Sequence, residues 1–316
     1  MLKKKRLKLL KRFILVAIVF GFLLIHFFVP RLISEIRNPV VGLIKRNRTV
    51  THEITSEQDL KLNQKNFYFK TFDGLKLSAQ LSYSSLDTVK GTVVLLHGIR
   101  SDKHQFKNAL QFLTENGFNA VGLDSRAHGK SEGDFCTFGV NEKSDVKNLL
   151  DYLSKEENLN HFGIWGQSLG GAIGLQAMGY DKRIEFGIIE STFSDFKTIV
   201  NDYFDLHAGF SYSHLTNYLV GITGKIANFD PNDAKPIKYC ESINQPILLV
   251  HGTMDKHIDI KYGRDNFSKI SSDRKEFIEI DSANHLNVWK VGGKKYFERV
   301  LKFLNEQSIL TKSPSN

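Results

Sequence analysis

The stretch GIWGQSLGGA, residues 163–172, places Ser168 between Gly166 and Gly170, with Gly171 directly after them. Glycines this close together are typical of a backbone that turns sharply or passes very near another segment. Such a turn either has a purely structural role or presents the serine as a nucleophile. The pattern G-x-S-x-G alone does not decide between the two, so the surrounding sequence has to.

The residues on either side of this turn predict a strand before it and a helix after it. HFGIWG, residues 161–166, is short and apolar, and LGGAIGLQAMGY, residues 169–180, is helix-like. A strand, a tight turn and a helix form the context that a nucleophile elbow requires. We therefore expect Ser168 in a strained backbone conformation, with Gly166 and Gly170 leaving room for backbones that a Cβ atom would obstruct.

Strand-like and helix-like segments alternate through the rest of the chain. Besides 161–166, the predicted strands are 66–71, 75–83, 92–98, 119–125, 186–191, 246–252 and 276–280. FDG at 72–74 joins the first two strands as a hairpin, and several later strands are continuous apolar runs, as expected of parallel strands buried on both faces. This alternation predicts an α/β fold with a doubly wound, mostly parallel, eight-stranded sheet in one domain.

The interval of about 192–245 is too long for a simple connection between two strands, and it is rich in aromatic residues. Insertions of this length often form a lid or cap over a binding site. We expect most of these rings to pack the insertion onto the body and a few to line an apolar pocket.

A serine nucleophile needs a base to take its proton and an acid to orient that base. In a doubly wound sheet these groups lie just beyond the carboxyl ends of later strands. Asp255 follows strand 246–252 in HGTMDKHID, and His285 follows strand 276–280 in DSANHLN. The resulting order of serine, aspartate and histidine is the one that accompanies this type of elbow.

Other polar residues near these strand ends are alternatives. Asp259 or Asp195 could supply the acid, and His257 could supply the base. Arg100 and Lys103 follow the third strand, and we interpret them as surface charges, with contact to an anionic substrate group as the alternative.

Five motifs in this order resemble the α/β-hydrolase superfamily: LLHGIRSDK, GLDSRAHGKSEG, GQSLGGA, HGTMD and ANH. The resemblance spans about residues 66–305 and is strongest to the serine-aminopeptidase-like and lysophospholipase-like branch, which often carries a short helical cap. It implies a hydrolase domain over 63–308 with the cap at about 192–245, followed by a tail at 309–316. It also implies a catalytic triad of Ser168, Asp255 and His285.

The resemblance further implies an oxyanion hole formed by the backbone N–H groups of Ile99 and Leu169. Backbone donors suit this task because they are fixed before the negative charge develops. Four other polar residues of the matching motifs are expected to be structural: His97, Asp124, Arg126 and His128. Ser125 stands where the family commonly has an aromatic residue.

The chain has 316 residues and a net charge of +9, and this charge is concentrated near the N-terminus. Residues 1–12 contain seven Lys and Arg, and residues 31–48 contain five against one Glu. The remainder is therefore slightly negative, which argues against nucleic-acid binding.

Residues 13–29 are apolar except for His26. This segment is long enough to cross a bilayer, at the short end of the lengths that membrane-spanning helices have. The preceding cations and the lack of a small-residue cleavage site favour an uncleaved signal anchor at 1–30, followed by a stalk at 31–62. We expect a single-pass membrane protein with its N-terminus in the cytoplasm and its catalytic domain outside. A cleaved signal peptide is the alternative.

The sequence thus predicts a membrane-anchored serine hydrolase that acts on carboxylic ester-type bonds of a small-molecule or lipid acyl substrate. Peptide or thioester cleavage with the same triad, or a non-catalytic binding protein, are the alternatives. No cofactor and no metal site are predicted, because no phosphate-binding loop or metal-ligand motif occurs. The pairing of Cys136 with Cys240 and the oligomeric state stay open.

Overall fold

The computed structural model describes residues 2–39, 63–209 and 212–310. The eight strands are β1 (Gln64–Lys70), β2 (Lys76–Ser82), β3 (Thr92–Leu96), β4 (Asn119–Leu123), β5 (Phe162–Gln167), β6 (Ile184–Glu190), β7 (Ile247–Gly252) and β8 (Lys275–Ile280). The α-helices of the body are α3 (Lys107–Glu115), α4 (Glu142–Glu156), α5 (Leu169–Tyr180), α9 (Ile260–Lys269) and α10 (Val288–Leu310). The N-terminal helices are α1 (Leu2–Leu23) and α2 (Val29–Ser34), and the helices between β6 and β7 are α6 (Phe196–Ala208), α7 (Ser213–Ala227) and α8 (Pro236–Cys240).

The strands form one sheet in the order β1-β2-β4-β3-β5-β6-β7-β8. The pairings of β1 with β2 and of β2 with β4 are antiparallel, and those from β4 through β8 are parallel. The predicted mostly parallel sheet of eight strands is therefore confirmed. Because β3 to β8 are parallel, their carboxyl ends meet at one edge, where ligands bind in folds of this kind.

Both faces of the central strands are buried, and the core has two layers. In β3, Val94 and Leu96 belong to one layer while Val93 and Leu95 belong to the other. Successive side chains of a strand point to opposite faces, so a strand buried on both sides must be apolar throughout. The continuous apolar run in the sequence follows from this position.

Helix burial differs between the periphery and the centre of the fold. The buried apolar side chains of α4 are Val146, Leu149, Leu150 and Leu153, a spacing that forms one face of a helix. In α5 every residue from Leu169 to Met178 is buried. This helix therefore lies in the interior, which fixes the position of its first turn beside Ser168.

The predicted cap interval contains three helices, α6, α7 and α8. Asp195 begins α6 by accepting hydrogen bonds from the N–H groups of Lys197 and Thr198, and Gly209 ends it in a left-handed conformation with φ of 72°. An aspartate N-cap and a left-handed glycine C-cap are common at the two ends of helices. The described part of the predicted cap interval thus consists largely of helices.

The N-terminal helix extends away from the body. A helical segment from Lys4 to Ser34 is long and apolar enough to cross a membrane, with a mean hydropathy of 2.7 over its most apolar window, of which 6% is buried. A π-helical turn, Leu24–Phe28, separates α1 from α2, and Pro30 occupies the first turn of α2. A signal sequence would have the same length and composition.

The first part of the predicted stalk packs on the body. Ser34 and Asn38 are buried, Cys136 N donates to Ser34 O at 2.8 Å, and Ile36 N donates to Asp134 O at 3.0 Å. The rest of the predicted stalk, residues 40–62, lies outside the described residues. Of the predicted tail at 309–316, α10 includes Ile309 and Leu310, and residues 311–316 lie outside the described residues. Cys136 and Cys240 are both free and buried.

Candidate active site

Ser168 occupies the turn between β5 and α5 with φ of 56° and ψ of −118°, a conformation that is strained for a residue with a Cβ atom. The surrounding backbone holds it there. Ser168 N donates to Glu190 O at 2.9 Å, and Thr192 Oγ1 donates to Ser168 O at 2.8 Å. The turn is therefore fixed by its neighbouring strand rather than by its own preference.

The glycines around Ser168 are required by close approaches of backbone. A Cβ atom on Gly166 would lie 2.3 Å from Gly170 O, and one on Gly170 would lie 1.8 Å from Leu96 O. Neither distance is compatible with a side chain, so the expectation that these glycines provide clearance is confirmed.

The structure brings His285 and Asp255 to Ser168. Ser168 Oγ lies 3.0 Å from His285 Nε2, and His285 Nδ1 lies 2.7 Å from Asp255 Oδ2. The three residues follow β5, β7 and β8, and they are almost completely buried. This geometry lets the imidazole accept the serine proton at one nitrogen while it donates to the carboxylate from the other.

Three hydrogen bonds hold the Asp255 carboxylate. The N–H groups of His257 and Ile258 donate to Oδ1 at 2.9 Å each, and His285 Nδ1 lies 2.7 Å from Oδ2. His251 Nε2 bonds Ile258 O at 2.8 Å and lies 3.4 Å from Oδ2. Burial raises the pKa of Asp255, but the interactions with His251 and His285 outweigh it, so the pKa lies well below its ordinary value. The carboxylate is therefore ionised at neutral pH.

The alternative acids have other roles in the structure. Asp259 caps α9 by accepting from Lys261 N at 2.8 Å, and Asp195 caps α6 and lies 2.6 Å from Lys235 Nζ. The ring of the alternative base, His257, lies tilted beside that of His285, with a centroid distance of 5.5 Å and an interplanar angle of 35°.

Ile99 and Leu169, the predicted oxyanion donors, both lie at the cavity beside Ser168. Leu169 is the first residue of α5, a position whose backbone N–H has no partner within its own helix. Gly98, just before Ile99, packs against Ser168: a Cβ atom on it would lie 3.6 Å from the Ser168 Cβ. The two N–H groups thus belong to the two turns that flank the serine.

The polar residues expected to be structural form buried hydrogen bonds away from the cavity. Asp124 Oδ2 lies 2.6 Å from Lys103 Nζ, and Arg126 pairs with Asp145 at 2.7 Å. Lys103 is therefore a buried structural cation, whereas the sequence suggested a surface charge.

His97 is also buried in a structural position. Its Nε2 accepts from Ser125 N at 3.1 Å, so its Nδ1 carries the hydrogen and donates to Gly98 O at 2.8 Å. Burial lowers the pKa of His97, which keeps the ring neutral. The ring thereby ties the turn before Ile99 to the loop after β4.

A buried carboxylate behind the serine turn is a feature that the sequence did not reveal. Glu190, the last residue of β6, accepts hydrogen bonds from Trp165 Nε1 at 2.6 Å, from Trp289 Nε1 at 2.9 Å and from the Tyr296 hydroxyl. Burial raises its pKa above the ordinary value. Since Trp289 follows the His285 loop, this network joins the loop of the base to the strand of the nucleophile. In the sequence, the position of Glu190 near the end of an apolar strand is the one signal that could have pointed to a buried carboxylate.

A cavity of about 370 Å³ opens beside Ser168. Its walls are mostly apolar side chains from the body, from α6 and from the N-terminal segment: Leu32, Ile33, Ile99, Phe138, Leu169, Phe193, Phe196, Ile199, Val200, Tyr203, Phe204 and Ile258, with Arg100 and His207 as polar members. Tyr203, Phe193, Phe196 and Phe204 belong to the aromatic interval in which we expected pocket residues. Leu32 and Ile33, at the start of the predicted stalk, were missed, because nothing in the sequence relates this segment to the serine.

Comparisons with known proteins agree with this architecture. Residues 87–220 match the family described as serine aminopeptidase, S33. The uncharacterized protein YfhR of Escherichia coli K12 is 26% identical over 248 residues, which cover 75% of this chain and 78% of that protein. The α/β hydrolase domain-containing protein WAV2 of Arabidopsis thaliana is 24% identical over 259 residues, which cover 78% and 80%.

Solved structures with this fold include an esterase. The Pyrococcus furiosus esterase Pf2001 has a TM-score of 0.66 and 23% identity and covers 79% of this chain and 94% of its own. Est1E of Butyrivibrio proteoclasticus, solved with ferulic acid, has a TM-score of 0.60 and 18% identity, with coverage of 76% and 98%. Together with the sheet order and the serine turn, these likenesses show that the chain has the fold of the α/β hydrolases.

Proposed function

We propose that the protein is a membrane-anchored serine hydrolase that cleaves carboxylic ester-type bonds in an apolar acyl or lipid substrate. The observation that carries this proposal is the hydrogen-bonded series from Ser168 through His285 to Asp255, which opens into an apolar cavity. Ester hydrolysis needs a nucleophile, a base and an oriented acid in this arrangement.

In the proposed reaction, Ser168 Oγ attacks the ester carbonyl as His285 Nε2 takes its proton. The N–H groups of Ile99 and Leu169 stabilise the oxyanion, and one such donor contributes about 3 kcal/mol. The tetrahedral intermediate collapses as the imidazolium protonates the leaving alcohol, leaving an acyl-enzyme. Water, deprotonated by the same imidazole, then releases the acid and regenerates Ser168.

Asp255 has two tasks in this scheme. Its Oδ2 accepts from His285 Nδ1, which exposes Nε2 of the neutral ring to the serine hydroxyl. When the imidazole becomes positively charged, the same carboxylate stabilises it. The lowered pKa of Asp255 supports this role, because a carboxylate that is ionised throughout the reaction can stabilise the imidazolium.

The apolar wall of the cavity supports an acyl group as the part of the substrate that lies there. Burial of each methylene contributes about 0.8 kcal/mol, so kcat/KM should rise about fourfold for each carbon that the cavity accommodates. A volume of about 370 Å³ lies within the ~300–1,000 Å³ of ordinary small-molecule sites.

Peptide cleavage is the second candidate, because the matching family is described as serine aminopeptidase. An aminopeptidase must bind the positively charged amino terminus of its substrate, which calls for a carboxylate at the pocket. Among the described residues that line the cavity, none is Asp or Glu. This lining supports the ester over the aminopeptidase reaction.

Hydrolysis of p-nitrophenyl esters from acetate to dodecanoate, beside an aminoacyl p-nitroanilide, tests the proposal. We expect wild type to prefer long esters over the anilide and Ser168→Ala to reduce ester turnover by about 10⁶. Equal turnover by wild type and Ser168→Ala would remove Ser168 from the reaction. A preference for the anilide would favour the peptidase.

The membrane anchor and its direction are part of the proposal. Seven basic residues precede the apolar stretch, and positively charged flanks are retained in the cytoplasm, which supports an external catalytic domain. Added protease should therefore digest the domain in right-side-out vesicles without detergent. Digestion only in inside-out vesicles would reverse the orientation.

A further inference from the structure

We propose that the end of the N-terminal helix is a wall of the acyl cavity and that the cap helix α7 lies at the membrane surface, so that the substrate's acyl chain enters the cavity from the bilayer. The proposed occupant is the acyl chain of an ester that resides in the membrane. This inference rests on the proposed function and adds the route and source of its substrate.

The end of the N-terminal helix, α2, contacts the cavity. Leu32 and Ile33, in α2, line the same cavity as Ser168. Arg100 Nη2 donates to Leu32 O at 2.6 Å, and Arg100 directly follows Ile99, a proposed oxyanion donor. The helix end is therefore attached to the turn that borders the reacting carbonyl.

The second contact is between the anchor and the cap. His26 Nδ1 and the Tyr218 hydroxyl share a hydrogen bond, and Thr223 Oγ1 donates to Pro30 O at 3.2 Å. His26 is the one polar residue within the apolar stretch 13–29, and a polar group at that depth is expected to have a polar partner. Helix α7 provides that partner.

These contacts set the depth of the cavity relative to the membrane. Val29 ends the apolar stretch, and Leu32 follows about 4.5 Å farther along the helix, at 1.5 Å per residue. The cavity wall therefore lies at the boundary between hydrocarbon and water. Tyr218 and Tyr212 are exposed on the cap at 43% and 59%, and tyrosine is enriched at membrane–water interfaces.

An acyl chain suits this location for a physical reason. A chain that moves from the bilayer into an apolar cavity exchanges one apolar environment for another and does not cross water. An external cavity mouth would instead require each long chain to leave the membrane first. Access from the bilayer thus makes esters held in vesicles better substrates than their length alone would predict.

The sequence offers a matched pair of variants, because Leu-Ile occurs at 24–25 and again at 32–33. Leu24 and Ile25 are exposed at 41% and 38%, whereas Leu32 and Ile33 line the cavity. We would compare Leu32→Ala/Ile33→Ala with Leu24→Ala/Ile25→Ala in the full chain, reconstituted in phosphatidylcholine vesicles. Active sites would be counted with a fluorophosphonate.

The ratio of kcat/KM for the dodecanoate and butyrate p-nitrophenyl esters is the readout. It should fall about tenfold in Leu32→Ala/Ile33→Ala, because the chain loses part of its wall, and stay within about twofold of wild type in Leu24→Ala/Ile25→Ala. Equal ratios in the two variants would overturn the assignment of the helix end to the cavity.

Membrane contact of the cap can be measured without turnover. Tyr218→Trp and Tyr180→Trp introduce the same residue at positions that are 43% and 48% exposed, and α5 carries Tyr180 about 18 Å away from Ser168. Phosphatidylcholine brominated on its acyl chains should quench the tryptophan at 218 much more than that at 180. Equal quenching would overturn the membrane position of the cap.

The two proposals fail in different ways. If the proposed function is wrong, wild type will turn over none of the esters or will prefer the aminoacyl p-nitroanilide to them. If only the present inference is wrong, Ser168 will label and esters will be hydrolysed, but the chain-length ratio and the quenching will not separate the matched variants.

Discussion

The serine turn at 163–172 and the cap at about 192–245 border the same cavity, but different forces hold them in place. At the serine turn, backbone atoms approach so closely that only glycine fits at positions 166 and 170. In the cap, the side chains of α6 provide the apolar surface of the cavity, and many apolar residues of similar size would serve. The proposed chemistry thus depends on fixed backbone, whereas the proposed choice of substrate depends on exchangeable side chains.

After the loss of Ser168 itself, the largest expected effect is on the acid of the proposed triad. Asp255→Asn should lower kcat by about 10⁴, because an amide favours the wrong tautomer of His285. Asp259→Asn makes the same change at the N-cap residue of helix α9. It should leave kcat within about twofold of wild type, since asparagine is also a good N-cap residue. Measured kcat values that fall equally in both variants would contradict the assignment of the acid.

Glycine replacements compare the two regions directly. Gly170→Ala should destabilise the protein by at least about 3 kcal/mol, because its Cβ would lie 1.8 Å from Leu96 O. Gly221, within α7, has no atom within 4 Å of its would-be Cβ, so Gly221→Ala should stabilise the helix by up to about 1 kcal/mol. Urea unfolding of both variants measures these changes in the free energy of unfolding. If both changes had the same sign, the expected contrast between the two regions would be wrong.

A cap residue that lines the cavity should alter selectivity more than rate. Ile199→Ala should reduce kcat/KM for a dodecanoate ester about fivefold more than for a butyrate ester. Leu206 lies on the same helix but is 44% exposed, and Leu206→Ala serves as the control with no expected change in that ratio. Identical chain-length profiles for both variants would show that α6 does not contact the acyl chain.

The last expected effect is a pH dependence of stability. The folded-state pKa of Asp255 is lowered, because interactions with His251 and His285 outweigh its burial, so its carboxylate stabilises the fold above the unfolded pKa of about 4. This contribution is lost as pH falls through the lower, folded-state pKa. The difference in unfolding free energy between wild type and Asp255→Asn should therefore shrink on acidification. A difference that grows would contradict the direction of the shift.

The predictable parts of the fold are those in which local sequence alone sets the structure. Apolar runs such as 92–98 marked the buried strands, and the dense glycines at 166, 170 and 171 marked the close approaches. The loops containing Asp255 and His285 followed from their positions after predicted strands, because parallel strands bring their carboxyl ends to one edge.

The features that could not be predicted depend on contacts between distant segments. Glu190 meets Trp289 and Tyr296, which lie 99 and 106 residues farther along the chain. Leu32 reaches the cavity because the N-terminal segment packs on the body and the cap. Neither periodicity nor a short motif carries information of this kind.

Covalent labelling is the decisive measurement of whether Ser168 is the nucleophile. The full chain would be treated with a fluorophosphonate and digested, and the modified residue would be located by mass spectrometry, with Ser168→Ala as control. We expect a single adduct on Ser168 in wild type, formed about 10⁴-fold more slowly in Asp255→Asn, and none in Ser168→Ala. Equal labelling of wild type and Ser168→Ala would show that Ser168 is not the nucleophile.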